Sequence, residues 1–286
     1  MEKFLRICAI IGLFVTATYA DTNSGNPIDK GGAAYSSQFV SAQPADNSNL
    51  SLHLDYITGE NIASMVQSVF TPQAGYEFEF IVGTGDISDG SDFGAVRNAF
   101  NTWVNLPDSA LSITETTYDH TITLGSANGQ NEISWIPYTG TNWWVDVLKY
   151  SPSTIGVAVT WYDQISGVVT ERDVHFNDTY MYWYTDSDGA SAANNPFYVE
   201  HIALHEEGHI FGLTDVYNPG QSGYQSWMGS DNANLTMYGY AASLNEDVTL
   251  TDVDIAAMAL AHPVPEPATL CLLGAGIFAL LRKKSV

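Results

Sequence analysis

Cysteine is nearly absent from this sequence: only Cys8 and Cys271 occur, one near each end. The interior therefore holds no disulfide. A chain of 286 residues buries enough apolar surface to fold without one. Basic residues are scarce too: 9 Lys and Arg stand against 32 Asp and Glu, for a formal net charge of −23. Five of the basic ones (Lys3, Arg6, Arg282, Lys283 and Lys284) lie in the terminal segments. Without those segments the chain keeps 4 basic and 30 acidic residues, a charge of −26. That balance repels nucleic acid and anionic membrane surfaces. It suits solubility outside the cell. So many carboxylates also suit calcium, an oxygen-seeking cation, although no contiguous calcium loop is present. No repeat recurs at a fixed period. Aromatics make up 12% of the chain, which argues for a folded domain rather than a disordered one.

Long apolar runs are confined to the two ends. Lys3 and Arg6 open the chain, Ile7 to Val15 form an apolar core, and Thr18-Tyr19-Ala20 offers small residues for cleavage. This order predicts an export signal over residues 1–20 that is removed from the mature protein. At the other end Ala268 to Leu281 is short for a membrane span of about 20 residues. Arg282, Lys283 and Lys284 follow, which favours leaving that end in the cytoplasm. One expectation is a transmembrane helix acting as a tail anchor. The order Pro265-Glu266-Pro267, apolar stretch, basic end also resembles the PEP-CTERM sorting signal. That resemblance implies recognition by an exosortase in a Gram-negative bacterium, transient membrane anchoring through residues 263–286, and location at the cell surface or release from it.

Between the ends, residues 21–75 are expected to be a leader or pro-region, with a short helix around Glu60 to Val69. Tyr76 to Val82 alternates as a strand does. Phe93, Val96, Phe100 and Val104 then follow helical spacing, capped by Ser88 or Ser91 and ended by Pro107. Strands are expected at Leu111–Thr117, Glu132–Ile136, Ile155–Tyr162 and Val168–Phe176. A helix from Pro196 to Phe211, closed by Gly212, and a last helix from Thr251 to Ala261 complete the pattern. The order predicts an α+β or α/β domain around one main sheet.

The sharpest signal is His205-Glu206-Glu207-Gly208-His209, followed by Gly212 and Asp215. Residues four apart share a helix face, so His205 and His209 can offer two imidazoles to one zinc ion. Glu206 points one position round, where it can reach a metal-bound water as general base. Gly212 can turn the chain back at the helix end and bring the Asp215 carboxylate to the same ion. Three protein ligands leave a fourth position open, as catalytic zinc sites do. His201, one turn earlier, is a flanking residue, because the ligand frame is complete without it.

The pattern His-Glu-x-x-His-x-x-Gly-x-x-Asp resembles the metzincin motif, with Asp215 where most members carry a third histidine and snapalysin-like members carry Asp. Asn234-Leu-Thr-Met237-Tyr-Gly-Tyr240 resembles the matrixin Met-turn. Leu250 to Ala256 and Ala95 to Trp103 resemble the last and first matrixin helices, and Val174-His-Phe-Asn-Asp178 a matrixin strand. The resemblance spans residues 76–262. It implies a twisted, mostly parallel metzincin-type sheet with a zinc-binding active-site helix. A smaller C-terminal subdomain would carry the Met-turn at Met237 and the final helix. It implies a peptide substrate extended along the edge strand. It also hints at a second, structural metal at His175, assisted by His120, Asn177 and Asp178. Two features depart from the matrixin pattern. No propeptide cysteine exists, and Gly239 stands where some metzincins have an oxyanion-steadying tyrosine.

The function expected is an exported zinc-dependent endopeptidase with Glu206 as its catalytic residue. The rival expectations are a non-catalytic surface or matrix protein on the same scaffold, and a metal-dependent hydrolase of a non-peptide bond.

Overall fold

A computed structural model describes residues 11–21, 62–66, 75–80, 90–107, 110–116, 127–163, 169–185, 195–229 and 231–263. The strands are β1 (Ile11–Asp21), β2 (Gly75–Phe80), β3 (Ser112–Glu115), β4 (Glu132–Trp135), β5 (Thr154–Asp163), β6 (Val169–Phe176), β7 (Trp183–Tyr184), β8 (Phe197–Tyr198) and β9 (Tyr240–Ala242). The α-helices are α1 (Ser91–Val104), α2 (Val199–Ile210) and α3 (Asp252–Ala261). A short π-helix, Trp143–Val147, and a 3-10 turn, Ser226–Met228, lie in the connections.

The main sheet runs β3-β2-β4-β6-β5-β1-β9. Its first five strands are mainly parallel, with β5 alone reversed against β6. This is the mixed α/β architecture that the strand–helix order predicts. Strand boundaries fall within a residue or two of the alternating segments. The reason is burial: in β2, Tyr76, Phe78 and Phe80 face the helices, the first two packing with Phe100 of α1 and the third with Phe93, while the intervening residues face the other way.

Helix α1 differs at its start from the expected serine cap. Gly90 is the N-cap, in a left-handed conformation with φ 74° and no side-chain cap. Ser91 is already helical, and its hydroxyl shares a 2.6 Å hydrogen bond with Thr185. Ser88 lies outside the described residues. The apolar stripe of α1 packs on α2, and Trp103 Nε1 donates to Leu204 O at 2.9 Å. Truncating Phe100 there would cost about 3–5 kcal/mol. Helix α3 begins as expected, with Thr251 and Asp254 forming a reciprocal capping box.

Two terminal expectations meet the structure differently. Ile11–Asp21, read as part of an export signal, forms β1 in the full-length chain, antiparallel to β5 and parallel to β9. Ile11, Val15, Thr16, Thr18 and Tyr19 are good strand formers, which suits that placement. The C-terminal apolar run lies outside the described residues. Among the described residues no helix is long and apolar enough to cross a membrane.

Candidate metal centre

Helix α2 brings the expected residues together. His205 and His209 sit one turn apart, and Gly212, at φ 97°, reverses the chain beyond the helix. No side chain adopts that φ cheaply, so glycine is required here. The reversal returns Asp215 to the histidines. Asp215 Oδ1 lies 3.1 Å from His205 Nε2 and 3.2 Å from His209 Nε2, and the two Nε2 atoms are 3.1 Å apart. All three residues are buried. Donors held by one tetrahedral zinc ion at about 2.0–2.2 Å stand roughly 3.3–3.6 Å apart. The observed triangle fits to within a few tenths of an ångström. Among the described residues this is the one His/Asp/Glu trio that converges tightly enough to hold a metal ion.

The hydrogen bonds around the trio orient its rings. His205 Nδ1 meets Thr236 O at 2.7 Å, and His209 Nδ1 meets Leu213 O at 2.9 Å. A carbonyl can only accept, so each Nδ1 carries a proton, and a ring with no second proton turns an Nε2 lone pair inward. Two lone pairs and a carboxylate oxygen thus face one another at about 3 Å. Asp215 Oδ1 is buried with no hydrogen-bond donor. Such an arrangement is repulsive unless a cation or protons sit at its centre. With protons there, on the imidazoles, attraction to His209 and His205 outweighs the upward push of burial and holds the Asp215 carboxyl well below the usual range.

Glu206 is fully buried between α2 and β5. A Cβ added to Gly156 would come within 2.8 Å of Glu206 Oε1, so the bare glycine leaves room for this carboxylate. Met237 is also fully buried and lies beneath α2 against Gly208, whose missing side chain gives its sulfur space. The turn carrying Met237 is held by Asp254, which accepts from Thr236 N at 3.0 Å and Met237 N at 3.4 Å. Val216 N in turn donates to Met237 O at 2.8 Å, lacing the metal loop to this turn.

Several residues that support the trio escaped the sequence reading. Tyr217 donates its hydroxyl to Asp215 Oδ2 at 2.9 Å, orienting the carboxylate. Its ring fills the space beside Gly239, where an added Cβ would meet it at 2.4–2.8 Å. The missing tyrosine at position 239 and the presence of Tyr217 are therefore one packing fact. Its place two residues after Asp215 was the available signal. Arg172 Nη1 and His262 Nε2 hold the carbonyls of Ile210 and Phe211 at the end of α2. Nothing local to either residue announces that role.

Of the secondary candidates, His201 stands apart from the trio, bonded to Asp247 O and Asn245. It helps line a small pocket, partly open to solvent, that runs past His205, Leu235 and Tyr240. Asn177 uses its amide on Thr154 O, Pro152 O and Tyr180 N, which occupies it structurally. His175 is buried against Ser134, and burial pushes it down to about 4. It joins no metal-binding cluster among the described residues. His120 lies outside the described residues.

Comparison with known protein families matches residues 263–284 to the PEP-CTERM protein-sorting motif. No curated protein matches the chain. The chain therefore carries a sorting signal of the kind that exosortase-type machinery recognises, which implies export to the cell surface.

Proposed function

We propose that this chain is an exported zinc-dependent endopeptidase of metzincin type, with His205, His209 and Asp215 as metal ligands and Glu206 as general base. The observation that carries the reading is the convergence of two Nε2 lone pairs and an unsatisfied carboxylate oxygen in a buried triangle about 3.1 Å on a side. Two imidazoles and one carboxylate form a donor set suited to catalytic zinc. When bound, zinc would supply Lewis acidity and acidify a ligated water towards neutral pH.

The chain's own residues do the rest. Thr236 O and Leu213 O hold both imidazoles in the ligating tautomer. Tyr217 fixes the Asp215 carboxylate. Glu206, packed against Gly156 of β5, accepts a proton from the attacking water and delivers it to the leaving amine. An extended substrate lies along β5, the strand on which β1 rests in the full-length chain. Thr18 of β1 pairs with Gly156, so a chain in this position passes beside Glu206.

The test is metal analysis of the exported protein together with a mixed peptide library read by mass spectrometry, with and without chelator. Near-stoichiometric zinc and chelator-sensitive cleavage are expected. A folded, zinc-loaded protein that cleaves nothing would favour the rival reading of a non-catalytic surface protein, with which the sorting motif is equally compatible.

A further inference from the structure

The segment before β2 holds a feature that its composition does not suggest. Residues 62–66 form a tight turn, with Met65 N bonded to Ile62 O at 3.0 Å and Val66 N to Ala63 O at 3.3 Å. Met65 is wholly buried and belongs to the main core. Its carbonyl accepts from Thr214 N at 2.8 Å, and Val66 forms an antiparallel bridge with Leu213. Leu213 and Thr214 are the two residues immediately before Asp215. Leu213 also supplies the carbonyl that holds His209 Nδ1. The turn thus grips the backbone that places two of the three converging donors. Loop residues that donate to a distant main chain in this way lose the freedom they would otherwise have.

We propose that residues 62–66 are a permanent clamp on the metal loop, with Met65 its positioning residue, and that processing of the exported chain stops on the N-terminal side of Ile62. The proposal rests on the metal reading above. It divides the leader in two: a part before Ile62 that can be lost, and a part that must stay for the ligands to hold their geometry. A pro-region extending to residue 75 would remove the grip on Leu213 and Thr214.

Two measurements test it. The first is the N-terminus of the exported, metal-loaded protein, read by mass spectrometry. It is expected before Ile62, and a terminus at or beyond Met65 overturns the proposal. The second compares Met65→Ala, Met65→Leu and the core variant Ile133→Ala in the full chain. Zinc affinity is measured by competition with a chromogenic chelator. Thr214 amide exchange is followed in metal-free protein. Met65→Ala should weaken zinc binding about 10–100-fold, the range seen when groups supporting a ligand are lost. It should also speed exchange at Thr214. Met65→Leu should restore both. Ile133→Ala should lower the melting temperature and leave zinc affinity unchanged. If the native chain binds zinc and Met65→Ala binds it equally, the clamp is wrong and the metal reading stands. If the native chain binds no zinc, the metal reading fails, and the clamp's purpose falls with it even if Thr214 exchange responds.

Discussion

The two faces of the sheet bury titratable groups in comparable number and to opposite effect. On the helix-bearing face His205, Glu206, Glu207, His209 and Asp215 are all buried. On the other face so are Glu132, Glu171, Asp173 and His175. There each group is spent on a neighbour. Glu171 accepts from the amides of Asn128 and Gly129, Asp173 accepts from Glu132 N at 3.0 Å, and His175 shares a 2.9 Å hydrogen bond with Ser134. On the helix side three donor atoms point at one another instead. Burial perturbs both sets, raising Glu207 on the helix side and, on the other face, raising Asp173 and lowering His175 through desolvation. Perturbed titration therefore does not separate a site from a packed polar layer. Convergence of unshared lone pairs does.

The comparison breaks first at Glu206. If the helix face is catalytic, Glu206→Gln should retain zinc and lower kcat/KM by about 10³–10⁴-fold, the upper range for losing a general base. Cleavage at the native rate would remove the functional difference between the faces.

His175 tests the opposite face. Its pKa is about 4 in the fold against an ordinary 6.5. Above pH 6.5 it is neutral whether the chain is folded or not, and contributes no pH dependence. As pH falls from 6.5 to about 4 the unfolded chain takes up the proton first, so stability is lost across that window. The full deficit is about 3 kcal/mol. Denaturant titrations of the native chain and His175→Gln between pH 7 and pH 4 should diverge by that order. Parallel curves would mean that this histidine titrates in the fold as it does in the unfolded chain.

How much of this was legible in the sequence follows from the range of each interaction. Strands β2 to β6 and the three helices could be read because alternation and the three-to-four-residue spacing are local. The trio could be read because a helix turn and one glycine reversal connect all its members. The sheet order, the two-residue strands β7 and β8, and β9 could not, since each depends on partners far away in the chain. The clamp at Met65 was invisible for the same reason. Its partner Thr214 lies far along the sequence, and the residues around Met65 read only as a short helix within the leader. The α1 start was misread because serine caps are judged by type, whereas Gly90 takes the position through its φ of 74°.

Gly156 gives a smaller, sharper test of what lies between the faces. Gly156→Ala would set a methyl group within 2.8 Å of Glu206 Oε1. The carboxylate must swing aside, and misplacement on the scale of an ångström costs about 10² in rate. Zinc content should not change. Equal loss of zinc and rate would instead mean that the whole helix had shifted.

The smallest expected effect sits at Glu207. Both of its carboxyl oxygens are buried without a hydrogen-bond partner. Burial, with a further contribution from Glu200, raises its pKa well above the usual range. Glu207→Leu keeps carbon as far as Cδ and removes two unsatisfied acceptors. Stability should rise by about 1–3 kcal/mol, since nothing that was paired is lost. Asp173→Leu on the opposite face removes the acceptor of Glu132 N and should destabilise the fold. If thermal unfolding of the two variants moves in these opposite directions, the carboxylates differ as their partners say they do. If Glu207→Leu also destabilises, Glu207 holds a partner that compensates its burial, and the helix face is as fully satisfied at that position as the polar layer behind it.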